Sequence, residues 1–104
     1  MRMRSVLLST SLMGGLLLAP AAWADAAMAK KYNCSACHQL DKKTVGPAYK
    51  AVAKKYKGQA GAAATLAAKV KKGGSGVWGP VPMPPNAAVP EGDIKKLVAW
   101  ILAM

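Results

Sequence analysis

The 104-residue sequence has no phenylalanine, one histidine, two cysteines and four acidic residues against fifteen basic ones. Each scarcity excludes something. Two cysteines cannot build a dense disulfide scaffold, and with one histidine a four-ligand zinc site would have to recruit carboxylates. The length allows one small domain at most. With so few acids the formal net charge is +11 at pH 7. Hydrophobic residues make up 53% of the chain, but much of that content sits at the start.

Met1-Arg2-Met3-Arg4 opens the chain, an apolar stretch from Val6 to Ala19 follows, and Pro20 precedes Ala21-Ala22-Trp23-Ala24. A basic start, an apolar middle and a small-residue site at Ala22-x-Ala24 predict a secretory signal peptide over residues 1–24, cleaved after Ala24. Val6 to Ala24 could instead nearly span a bilayer as an uncleaved anchor. Pro20 would interrupt such a spanning helix. On either reading residues 25–104 are exported, and after cleavage no membrane-integral segment is expected.

Residues 25–104 contain 13 Lys, no Arg and the same four acids, a net charge of +9. Alanine supplies 17 of their 40 hydrophobic residues, and Leu, Ile and Val together only 13. A highly charged chain so poor in large apolar residues cannot bury enough surface to fold comfortably by itself. Small domains of this kind need an added staple.

Cys34-Ser35-Ala36-Cys37-His38 has the pattern of one. A C-x-x-C-H run is the covalent attachment site of a c-type haem: the two thiols form thioethers to the porphyrin, and the adjacent histidine reaches the iron from one face. A thioredoxin-like redox pair would need a βαβ pattern, and a zinc half-site would need a second Cys/His pair. Neither is present.

With the only histidine used, the second axial ligand must be Met, Lys, water or nothing. Met28 lies six residues before Cys34, too near to cross the ring, and Met104 is the terminal residue. Met83 remains, 45 residues beyond His38, in the proline-rich run Trp78-Gly79-Pro80-Val81-Pro82-Met83-Pro84-Pro85-Asn86. Proline fixes φ and removes backbone donors, so this is a stiff loop outside helix or sheet, suited to presenting a soft thioether. A polyproline-like surface loop with an incidental Met, or a Met filling core space, is the alternative.

The remaining patterning predicts an all-α fold of about four short helices and no strand. Asp25 can cap a first helix carrying Met28 and Tyr32 at i, i+4. Pro47 can start a second that runs to about Lys57, with Tyr49, Val52, Ala53 and Tyr56 facing inward and Gly58 ending it. A third, about 62–72, carries Ala63, Leu66, Ala67 and Val70 and stops at Gly73-Gly74. The last, about 91–103, has Ile94, Leu97, Val98, Ile101 and Leu102 at helical spacing, with Trp100 widening the stripe.

These residues resemble the small bacterial class I cytochromes c of the cytochrome c-551 type. The resemblance runs from Cys34-Ser-Ala-Cys-His38 through Val45-Gly-Pro-Ala-Tyr-Lys50 and Gly58-Gln-Ala-Gly61 to Gly76-Val-Trp-Gly-Pro-Val-Pro-Met-Pro-Pro-Asn86. It implies one covalent haem c on Cys34 and Cys37, axial ligation by His38 and Met83, and a class I fold around the haem. It also implies the Pro47 carbonyl accepting the His38 ring N–H, the Trp78 indole meeting a haem propionate, and Asn86 hydrogen-bonding near the Met83 sulfur. Helix starter, core filler and turn former are the ordinary roles of those three residues.

With both axial positions filled there is no open site for a substrate, so electron transfer is expected and catalysis is not. The resemblance implies a soluble, monomeric periplasmic carrier. Its electrons would pass from a membrane quinol-oxidising complex such as a cytochrome bc1 complex to a nitrite reductase, an oxidase or another acceptor in respiration or denitrification. Lys50, Lys54 and Lys57 share one helix face; Lys69, Lys71 and Lys72 close the third helix; Lys30, Lys31, Lys42 and Lys43 flank the attachment run. Together they predict a positive field that steers encounter with an acidic redox partner. Nucleic acid is not expected, since an exported domain without Arg is a poor fit for it. A haem enzyme or gas sensor with Met83 displaced, and a domain docked on a larger enzyme, remain as alternatives. The segment Ala87-Ala88-Val89-Pro90-Glu91-Gly92 and the high basicity depart from the type.

Overall fold

The computed structural model describes the backbone of residues 21–104 and the side chains of residues 25–104. Residues 1–20 of the expected export signal lie outside the described residues. Four α-helices follow in order: α1 (Ala21–Lys31), α2 (Tyr49–Tyr56), α3 (Ala62–Lys72) and α4 (Glu91–Leu102), with a single 3₁₀ turn at Cys34–Ala36. Among the described residues there is no strand, only one isolated bridge between Gly74 and Met83.

The helix ends follow local chemistry, with two departures from the sequence expectation. Asp25 lies inside α1, whose first turn is Ala21–Ala24, and so does not cap it. Pro47 lies before the N-cap Ala48 of α2. Its fixed φ shapes the approach to the helix, while carbonyls from the loop after His38 satisfy the first amides: Tyr49 N–H donates to Gln39 O at 2.9 Å and Lys50 N–H to Leu40 O at 3.2 Å. Borrowed acceptors of this kind replace a side-chain cap. Gly58 follows α2 at φ 80° and Gly73 caps α3 at φ 69°, left-handed positions that glycine takes without a Cβ penalty. Glu91 and Asp93 sit in the first turn of α4, and Lys69, Lys71 and Lys72 in the last turn of α3, each complementing the helix dipole.

α4 is the hub and packs against each of the other three helices. Ile94 and Val98, each 1% exposed, join Val52 of α2, Leu66 of α3 and Val89 in the central cluster. Tyr32, Tyr56, Ala67, Val70, Ile101 and Leu102 pack around it. The inward stripe of α3 differs from expectation at one place: Ala62 is buried and Ala63 is exposed, so the helix is turned by one residue at its start. Periodicity carried by alanine is weak, because either small residue fits either side. Tyr32 follows α1, and its hydroxyl donates to Asp93 Oδ2 at 2.5 Å, tying the end of α1 to α4 across 61 residues of sequence. That bond holds the Tyr32 phenol above its ordinary pKa.

Candidate functional site

One wall of the site grows from the C-x-x-C-H run. Asn33 takes a left-handed φ of 62°, a conformation that asparagine tolerates better than most residues, and turns the chain into the 3₁₀ segment. The Cys34 carbonyl then accepts both the Cys37 N–H at 3.2 Å and the His38 N–H at 3.0 Å. The Cys37 carbonyl accepts the Gly46 N–H at 2.8 Å and the Thr44 hydroxyl at 2.7 Å, which folds the following loop back over the run. Cys34 and Cys37 are half-buried and form no disulfide with each other.

His38 Nδ1–H donates to the Pro47 carbonyl at 2.7 Å. A carbonyl can only accept, so Nε2 keeps the lone pair that a metal requires. The imidazole stacks on the Tyr49 ring at 5.4 Å and 27°, and Tyr49 meets Trp100 edge-on at 5.1 Å. Gly46 makes the approach possible: a Cβ there would lie 2.5 Å from His38 Cε1 and 2.8 Å from Nδ1.

The facing wall is the proline-rich strap. Gly74 N–H donates to Met83 O at 3.0 Å and Met83 N–H to Gly74 O at 2.8 Å, a reciprocal pair at the end of α3. Asn86 anchors the strap through backbone carbonyls. Its Nδ2 donates to Val70 O at 3.1 Å and to Pro84 O at 3.3 Å, while its backbone N–H also reaches Val70 O at 3.2 Å. The amide therefore fastens the strap to α3.

Between the walls lies a cleft of about 260 Å³ lined by Cys34, Cys37, His38 and Met83, with Pro47, Tyr49, Val52, Leu66, Val70, Leu97, Val98 and Ile101 supplying much of its apolar surface. Trp78 also lines it but is 40% exposed, so it is not a core filler. Lys55 of α2 places its ammonium 5.6 Å from the Trp78 ring centre, within cation–π range. Lys43 and the half-buried Lys69 bring positive charge to the same cleft. A more open hollow beside Tyr56, Gly58, Ala62 and Leu102 holds no Cys, His or Met.

The cleft suits a flat, largely apolar group bearing its own metal. It offers one imidazole, one thioether and two thiols, and among the described residues no three Cys, His, Asp or Glu side chains converge to hold an ion unaided. The Tyr49 hydroxyl is buried on this wall without a hydrogen-bond partner in the protein, and burial pushes its pKa up to about 12. The chain alone thus leaves a polar atom unsatisfied where a bound group would stand.

The motifs pointed to Cys34, Cys37, His38 and Met83 and the resemblance to Pro47, Trp78 and Asn86; all but Asn86 line this one cleft. Sequence patterning missed Gly46 and the Gly73-Gly74 contact with Met83. A glycine preceding Pro47, and a double glycine where one would end a helix, were the available signals.

The cytochrome c family profile matches residues 24–104. The cytochrome c-551 of Allochromatium vinosum is 55% identical over 86% of this chain and 95% of its own length. The cytochrome c-552 of Nitrosomonas europaea is 51% identical over 98% of this chain and 99% of its own. The crystal structure of wild-type Nitrosomonas europaea cytochrome c552 superposes with a TM-score of 0.73, covering 75% of this chain and 96% of that one at 55% identity. The chain belongs to the cytochrome c family, as a small electron-carrier cytochrome of the c-551/c-552 type with one covalent haem c.

Proposed function

We propose that this protein is a periplasmic one-electron carrier whose haem iron is ligated by His38 and Met83. The observation that carries the reading is the convergence on one cleft of an imidazole with Nε2 free and a methionine held by its backbone on the strap. The haem supplies a reversible one-electron couple. The polypeptide sets the conditions for it. Cys34 and Cys37 anchor, the Pro47 carbonyl orients the His38 ring, and the stiff strap holds a thioether that would leave a mobile loop easily. A thioether and apolar walls favour the less charged ferrous state, which raises the potential. With both axial positions filled, no small molecule finds an open site, so the protein exchanges electrons and does not act as an enzyme.

Residues 1–24 serve in this reading as a cleaved export signal, and no described helix is long and apolar enough to cross a membrane. Trp78, which lines the cleft beside Lys55, would in this reading hydrogen-bond a haem propionate. The lysine-rich surface favours an acidic partner, with a quinol-oxidising membrane complex as donor and a nitrite reductase or oxidase as acceptor.

The test is optical. The loaded protein should bind carbon monoxide poorly and show a sulfur-to-iron charge-transfer band in its ferric spectrum. Met83→Ala should abolish the band and open the iron. Ready carbon monoxide binding by the unaltered protein would instead favour a sensor or enzyme.

A further inference from the structure

Gly73 closes α3, yet its tightest surroundings belong to the strap. A Cβ at this position would lie 2.3 Å from Met83 O, 2.9 Å from Pro84 C and 2.9 Å from Pro85 N. All three are backbone atoms of the Met83–Pro84 and Pro84–Pro85 peptides, so none can swing aside as a side-chain tip would. The next residue, Gly74, makes the reciprocal bridge to Met83, and one turn earlier Val70 O receives both Asn86 donors. The strap is therefore fastened to α3 on either side of the point where Gly73 touches it.

We propose that Gly73 is a positioning residue for Met83: its missing side chain sets how closely the strap lies on α3, and that approach holds the thioether at the iron. The proposal rests on Met83 being the axial ligand. Iron–thioether ligation is weak and needs an external frame, so a strap pushed outward by one carbon loses the ligand more readily than a strong donor would. Helix termination alone does not explain this glycine. Gly61, at the N-cap of the same helix, shares the positive φ (74° against 69°) though not the ψ (8° against −165°), and nothing lies within 4 Å of its would-be Cβ. Both positions demand glycine for their φ, but only Gly73 also demands it for contact.

That pairing supplies the experiment. Gly73→Ala and Gly61→Ala both place a Cβ at positive φ, so both should lose thermal stability, Gly73→Ala the more because its φ 69°, ψ −165° backbone is open essentially to glycine alone. In the haem-loaded protein, Gly73→Ala should weaken or erase the sulfur-to-iron band, lower the reduction potential and raise the ligand-open fraction about tenfold or more, read as carbon monoxide binding. Gly61→Ala should leave all three unchanged. If both variants keep the parent spectrum and carbon monoxide behaviour, the proposal is overturned. Met83→Ala run alongside separates the two claims: a band that survives it removes the ligand assignment, whereas a band lost there but kept in Gly73→Ala removes only the role of Gly73. Should Gly73→Ala fail to fold, hydrogen exchange on the parent protein decides. The Gly74 and Met83 amides should be protected and open together, and exchange as fast as at exposed Val77 and Val81 would overturn the proposal.

Discussion

Leu97 couples the core to the site, and shortening it should damage both. The side chain is 4% exposed, sits on the hub helix α4 and contributes to the cleft wall next to Val98 and Ile101. Leu97→Ala removes three carbons, about 2.4 kcal/mol of transfer free energy at about 0.8 kcal/mol per methylene. Incomplete collapse of the cavity raises the total to about 3–4 kcal/mol. For a domain of this size each kcal/mol moves Tm by roughly 4–8 °C, so the melting temperature should fall by roughly 12–32 °C. Water admitted beside the haem should also lower the reduction potential, because a more polar wall favours the more charged ferric state. The assay is thermal unfolding of the loaded protein by circular dichroism, with voltammetry on the same samples. Leu97→Met, which nearly conserves volume, should cost under about 1.5 kcal/mol. Leu40→Ala, at a residue 48% exposed, should stay within about 0.5 kcal/mol of the parent. A Tm for Leu97→Ala within about 5 °C of the parent would refute the assignment of Leu97 to both core and cleft.

Three further outcomes follow from the geometry. Gly46→Ala should force the His38 ring and the Pro47 carbonyl apart, because the new Cβ would fall 2.5 Å from Cε1; NMR should show the imidazole N–H signal shifting as its 2.7 Å bond lengthens. Tyr49, with its pKa pushed up to about 12, and Tyr32, also raised, keep their protons in the folded state above the ordinary tyrosine value of about 10. The unfolded chain then binds fewer protons between about pH 10 and 12, so stability is intact below that window and falls as pH rises through it. Urea midpoints should show a shallower fall for Tyr49→Phe. Electron transfer to an acidic partner should slow as ionic strength rises from about 0.01 M to about 1 M, where screening shortens from about 30 Å to about 3 Å; a rate indifferent to salt would remove the steering role of the lysines.

Helix positions were largely legible because the largest apolar residues, Ile94, Leu97 and Val98 above all, keep helical spacing with nothing else to explain it. Where alanine carried the pattern, as at Ala62 and Ala63, the facing was ambiguous by one residue. Asn86 shows the other limit. The resemblance implied a role for it near the sulfur, but its bond to the Val70 carbonyl, 16 residues back at the end of α3, was not legible in the sequence.

The sequence by itself determined the chemistry. Cysteine spacing around His38 specifies covalent haem attachment, because attachment is local to five consecutive residues, and the shortage of large apolar side chains specifies that the domain needs such a group. Everything that depends on two distant segments meeting was decided by the tertiary structure alone. Met83 lies against the end of α3 because Gly73 leaves room for the strap beside the Gly74–Met83 backbone bridge, and His38 is oriented because Gly46 lets the Pro47 carbonyl come within 2.7 Å of its ring. The glycines themselves are visible in the sequence, but the neighbours that their missing Cβ atoms admit are not.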